Sequence, residues 1–211
     1  MQQPSRQDTK AALISAAERL IAEKGLGSVS VRDITRAAGA RNESALHYHF
    51  GDMQSLIRQI FIDRFREIEQ SRLEKISQFD SEGRGKDISA LMEAALGPLM
   101  EACLDPGGRL YARFSIQLAF DPRVDIVELV RDTGMQSVTI IRDRVQEKLK
   151  DLPPQLLASR LRRLFLISLV LTADYAHLVE TGTAPPFKEA TREAAACLTG
   201  FLLAQTIDTP C

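Results

Sequence analysis

The chain has 211 residues, 45% of them hydrophobic and 26% charged, with 27 Lys and Arg against 28 Asp and Glu and a net charge of −1. That balance excludes a disordered chain, which would carry fewer apolar residues and more net charge, and a uniformly basic nucleic-acid protein. The length gives one large domain or two small ones with a real core.

In chain order, the first predicted element is a helix over residues 6–24. Ser5 and Asp8 form an S-x-x-D capping signal, Leu13, Ala17, Leu20 and Ile21 recur at helical spacing, and Gly25 stops it. A second, short helix opens at Ser30 with an acid three residues later, Asp33. Its apolar face is Val31, Ile34 and Ala38, and Gly39 ends it. A third short helix is expected over residues 43–49, and a long fourth one from about Asp52, with Leu56, Ile60, Phe61 and Phe65 at core spacing. The segment QFDSEGRGK (78–86) reads as a polar loop. Further helices are expected at 87–104, 109–120, 122–152 with a break at Gly134, 154–181 and 186–206. Apart from Pro98, the prolines punctuate these patterns, and no stretch alternates as a strand would, so the fold class is all-α.

Three cysteines, Cys103, Cys197 and Cys211, are few, odd in number and without a C-x-x-C pair, so neither a disulfide scaffold nor a zinc module is expected. His47 and His49 stand two apart on a helix and point to different sides, so no metal and no cofactor is expected. The start, MQQPSRQDTK, lacks the apolar core of a signal peptide. The longest nearly apolar run, LFLISLVLTA (164–173), is about half of what a membrane span needs. A cytoplasmic protein without membrane attachment follows as the expectation. G-x-S-x-G, Gly-rich phosphate loops and H-E-x-x-H are missing, so an enzyme is not expected.

The informative stretch is SVRDITRAAGARNESALHYHF, residues 30–50. A capped helix, a turn with glycine and a second short helix make a helix-turn-helix, whose second helix can enter a DNA major groove. Ala37, Ala38 and Ala45 let the two helices approach. The second helix carries Glu43, Ser44, His47 and His49, groups suited to base edges or phosphates rather than to a core.

These residues resemble the DNA-binding head of the TetR/AcrR family of bacterial transcriptional repressors. The matching pieces are AALISAAERLIAEKGLGSVSVRDITRAAG, the block HYHF and the helix opened by GDMQSL. The resemblance implies a three-helix DNA-binding head at 1–51 and a larger helical ligand-binding and dimerisation body at 52–211. It implies a homodimer on palindromic double-stranded DNA, released by a small, largely apolar effector. Ser30, with its helix N-terminus, would hold a phosphate, and Tyr48, His49 and His47 would contact phosphate or base. Arg41, Asn42 and Ser44 stand at the turn and the start of the reading helix, where Arg suits guanine and Asn adenine. Lys10 would clamp a phosphate from the first helix, and Arg32 and Arg36 share one face of the second. Each also has a plain reading as cap, packing residue or solvated surface.

Two departures from the family pattern stand out. The segment between Gly39 and Phe50 is one residue longer, which leaves the register of the base-reading positions open. Gly51 and Asp52 occupy the region where many members use a lysine on a phosphate. With the neutral charge, this second departure supports an alternative reading, a helical ligand-binding or protein-interaction dimer with weak or lost DNA binding. In the body, Ala190, Ala194, Ala195 and Ala196 beside Leu198, Phe201 and Leu202, together with the apolar run at 164–179, resemble the family's four-helix dimer interface. Arg113, Phe114, Gln117, Tyr175 and His177 are the candidate ligand-binding residues. Activator or repressor stays open.

Overall fold

A computed structural model of the chain describes residues 6–40 and 42–205. Among these are ten α-helices and no strand: α1 Arg6–Lys24, α2 Val31–Ala37, α3 Ser44–Phe50, α4 Met53–Ser81, α5 Ile88–Ala102, α6 Pro106–Ala119, α7 Ile126–Asp132, α8 Gln136–Lys148, α9 Pro154–Thr181 and α10 Phe187–Leu203. The bounds of α1 and α9 coincide with the sequence expectation. Ser5, the expected cap of α1, lies outside the described residues.

The break expected at Gly134 is present: the segment 122–152 is two helices, because Gly134 takes φ +64° between α7 and α8, a region that residues with a Cβ rarely enter. Other bounds shift. The Asp125 carboxylate accepts from Val127 and Glu128 backbone amides (3.1 and 3.2 Å) and starts α7 four residues past Pro122. The polar segment at 78–86 begins as the end of α4, where polarity marks a solvated helix face, and Pro106 opens α6 earlier than expected because proline suits a first helical turn.

The chain forms two compact units. One contains the described residues up to Glu67 with Asp105–Thr133, the other Ile68–Leu104 with Gly134 onward. The expected head at 1–51 therefore lies wholly in the first unit, together with the first half of α4 and with α6 and α7. In that unit, Leu13, Ala17 and Ile21 of α1, Ile34 of α2, Leu46 of α3 and Leu56, Phe61 and Phe65 of α4 are fully or almost fully buried. Helix α1 packs on α6 as well as on α2 and α3. Glu18, itself buried, accepts two hydrogen bonds from the Arg64 guanidinium (both 2.8 Å), joining α1 to α4.

In the second unit α5 packs between α10, α9 and α8. Pro98 sits inside α5 and has no amide for Ala94, and the adjacent carbonyl of Ala95 accepts from buried Arg72 (3.3 Å). Glu69 accepts from the Ser137 amide (3.0 Å) and from the Ser137 hydroxyl, placing a carboxylate at the N-terminus of α8, where free amides favour one. Buried Arg160 of α9 donates to the carbonyls of Leu202 (2.6 Å) and Ala204 (2.5 Å), closing the C-terminus of α10. No helix among the described residues is long and apolar enough to cross a membrane.

Candidate nucleic-acid interface

The expected capping box is present. The Ser30 hydroxyl accepts from the Asp33 amide (3.2 Å) while the Asp33 carboxylate accepts from the Ser30 amide (3.0 Å) and hydroxyl (2.5 Å). These bonds from Ser30 hold the Asp33 carboxyl below its ordinary range. The hydroxyl of Ser30 is thus engaged in fixing the start of α2. Thr35 turns its hydroxyl back onto the Val31 and Arg32 carbonyls, while Ile34 anchors the helix in the core. Arg32 and Arg36 are exposed on the outside of α2. Ala38 and Ala45 are half-buried, but Ala37 faces solvent and does not mediate the approach of α2 and α3.

Helix α3 meets the core through Leu46 alone, which is fully buried. Asn42, Ser44, His47 and Tyr48 are exposed. The Ser44 hydroxyl donates to the Asn42 amide oxygen (2.5 Å), which fixes the entry to the helix in place of a side-chain cap. Tyr48 is 63% exposed, which a packing residue would not be, and its ring meets His49 edge to face at 5.1 Å. His49 is half-buried and lies 6.2 Å from the Phe50 ring. Lys10 of α1 places its ammonium over the same Phe50 ring at 5.6 Å, so α1 contributes a cation beside the end of α3. Arg41 lies outside the described residues.

The junction of α3 and α4 shows what sequence reasoning missed. The His47 ring nitrogen Nδ1 is 2.7 Å from the Gly51 carbonyl, and the Gly51 amide donates to the His47 carbonyl (2.9 Å). Asp52 accepts from the Ser55 amide (2.7 Å) and caps α4; bonds from Ser55, chiefly its amide, with His47 contributing, hold the Asp52 carboxyl below its usual range. The helix start expected near Asp52 is present, and what went unread is that Asp52 is its cap. Its signal was present as D-x-x-S, an N-cap acid before a helical pattern.

The candidate ligand-binding residues are divided between the two units. Phe114 is fully buried and Arg113 half-buried in the first unit, where exposed Gln117 lies close to Gly25. Tyr175 is buried and His177 exposed in the second unit. Burial pushes the Tyr175 phenol above its ordinary range, so it stays neutral.

Residues 13–60 match the sequence model of bacterial regulatory proteins of the tetR family. No curated protein matches the chain. Among solved structures, the chain is similar to a protein described as a tetR family transcription regulator from Shewanella sp. PV-4, with 18% identity, 90% of this chain and 95% of that chain covered, and a TM-score of 0.62. It is similar to NalD, the secondary repressor of the MexAB-OprM multidrug efflux pump in Pseudomonas aeruginosa (17% identity, 92% and 96% covered, TM-score 0.58). It is also similar to a protein described as a TetR-family transcriptional regulator from Rhodococcus sp. (17% identity, 92% and 98% covered, TM-score 0.53). These likenesses establish the all-helical fold.

Proposed function

We propose, from the match of residues 13–60 to the sequence model of the tetR family of bacterial regulatory proteins, that this chain is a ligand-responsive DNA-binding transcriptional regulator. We read it as a repressor that grips a palindromic operator as a homodimer. The observation that carries the reading is α3: one buried anchor, Leu46, and an otherwise polar, exposed face of Asn42, Ser44, His47 and Tyr48. The exposed face of such a helix gains nothing from packing and is suited to hydrogen bonding in a groove. Lys10, Arg32 and Arg36 supply the cations that follow a phosphate backbone, and Arg41 would join them at the turn.

The dimer is supported by α9, where Val170 is 44% exposed and residues 164–167 are half-buried on a strongly apolar helix. A second copy would cover that face together with α10. The effector rests on the family and on unequal ligand affinity for two states, the only route by which binding can shift an equilibrium. Small, largely apolar molecules are the class proposed, with Arg113, Phe114, Gln117, Tyr175 and His177 as the first residues to vary. The deciding experiment is a fluorescence-anisotropy titration of the full chain against duplexes from its own upstream DNA. Saturable binding to a palindrome, falling steeply with salt, is expected. Failure to bind any such duplex would return the chain to a ligand-binding dimer without DNA.

A further inference from the structure

The bond from His47 to the Gly51 carbonyl has a chemical consequence. A carbonyl oxygen only accepts, so Nδ1 must carry the proton, and in the neutral ring Nε2 is then an acceptor. The backbone of the same turn is closed as well, since the Gly51 amide donates to the His47 carbonyl. His47 is exposed, and no hydrogen bond to Nε2 occurs among the described residues. In the neutral ring the outward nitrogen is a fixed acceptor, a poor partner for phosphate and a good one for an amino group.

We propose that His47 reads a base, not the backbone: its Nε2, oriented by the Gly51 carbonyl, accepts a hydrogen bond from an exocyclic amine in the major groove, adenine N6 or cytosine N4. This rests on the DNA-binding reading above and deepens it. Guanine N7 and O6 and thymine O4 are acceptors and offer the neutral ring nothing, so the tethered tautomer selects amine-bearing bases.

The test uses the full chain at pH 8.5, where an ordinary imidazole is neutral. Duplexes that it enriches from a random pool are resynthesised with purine in place of adenine, or 2-pyrimidinone in place of cytosine, one position at a time. Wild type should lose roughly two- to tenfold in affinity at one position per half-site, the scale of one hydrogen bond. His47→Phe keeps a ring but has no acceptor, and should bind amine-bearing and amine-free duplexes equally. His47→Gln can present an acceptor further out and should retain part of the discrimination. Circular dichroism confirms that both variants keep the wild-type helicity. Enrichment with no amine-dependent position that His47→Phe abolishes would overturn the inference and leave the DNA reading standing. No enrichment at all would overturn both.

Discussion

At the scale of single residues, the reading head depends on a few short polar contacts. Ser30 and Asp33 satisfy each other's amides, so Ser30→Ala should cost about 1 kcal/mol of stability, as loss of an N-cap does, measured as a lower urea midpoint with unchanged slope. Asp33 and Asp52 are both held below the ordinary carboxylate value of 3.8. A depressed carboxyl contributes stability that is complete above that value and is lost as the pH falls below it through the native value. Unfolding followed from pH 6 down to pH 2 should therefore be less acid-sensitive in Asp33→Asn than in wild type. Identical acid slopes for the two would refute this role. Glu18 and Arg64 are a different case, because Glu18 is 2% exposed and Arg64 about a quarter exposed. Hydrogen bonds donated to Glu18 raise the Arg64 guanidinium further above its already high range. Arg64→Met strands a buried carboxylate and should cost about 2–4 kcal/mol, whereas Glu18→Leu with Arg64→Met should recover most of it, a non-additivity that a double-mutant cycle reads directly.

At the scale of elements, the helix–helix links that matter were the least visible in the sequence. Helical periodicity located α1 and α9 to the residue, since Leu13, Ala17 and Ile21 follow one face and Gly25 and Gly182 mark the ends. Local chemistry also revealed the Ser30–Asp33 box. Long-range partners leave no local pattern: nothing in LPPQLLASRLRR announces that Arg160 will close the far end of α10, or that Glu69 will cap α8. The His47–Gly51 bond was hidden for another reason, since an exposed histidine looks the same whether or not its tautomer is fixed. Gly85 shows how tight such links are. A Cβ there would stand 1.8 Å from the Asp80 carboxylate, which receives a two-pronged bond from Arg144 (2.7 and 2.9 Å), and Arg144 also donates to the Gly85 carbonyl (3.0 Å). Gly85→Ala should therefore break the Asp80–Arg144 fork, and in the background of Asp80→Ala the same substitution should cost much less. Equal costs in both backgrounds, by thermal melting, would show that the fork is not what the glycine protects. Arg160→Met removes the donors for two carbonyls at the end of α10 and should cost about 1–3 kcal/mol, with faster amide exchange in the last turn of that helix.

At the scale of the whole molecule, the near-zero charge divides unevenly. Residues 1–51 carry seven Lys and Arg against five Asp and Glu, a difference of +2, and the remainder carry twenty against twenty-three, a difference of −3. A head with so little excess charge gains little from counterion release, so under the proposed function two heads acting together would supply the affinity. That makes DNA binding depend on self-association, and self-association is proposed to run through the apolar face of α9. Val170 is the substitution site, because it is 44% exposed on that helix and fills no core position of its own unit. Val170→Asp should leave helicity and melting of the single chain nearly unchanged, convert a dimer to a monomer in sedimentation velocity, and weaken operator binding by about 10²–10⁴-fold through loss of the linked second head. Gln146→Asp, which adds the same charge at an exposed position of α8, should do neither. A Val170→Asp protein that stays dimeric would remove α9 from the interface. One that is monomeric yet binds the operator as wild type does would show that each head reads DNA alone, against the paucity of its charge.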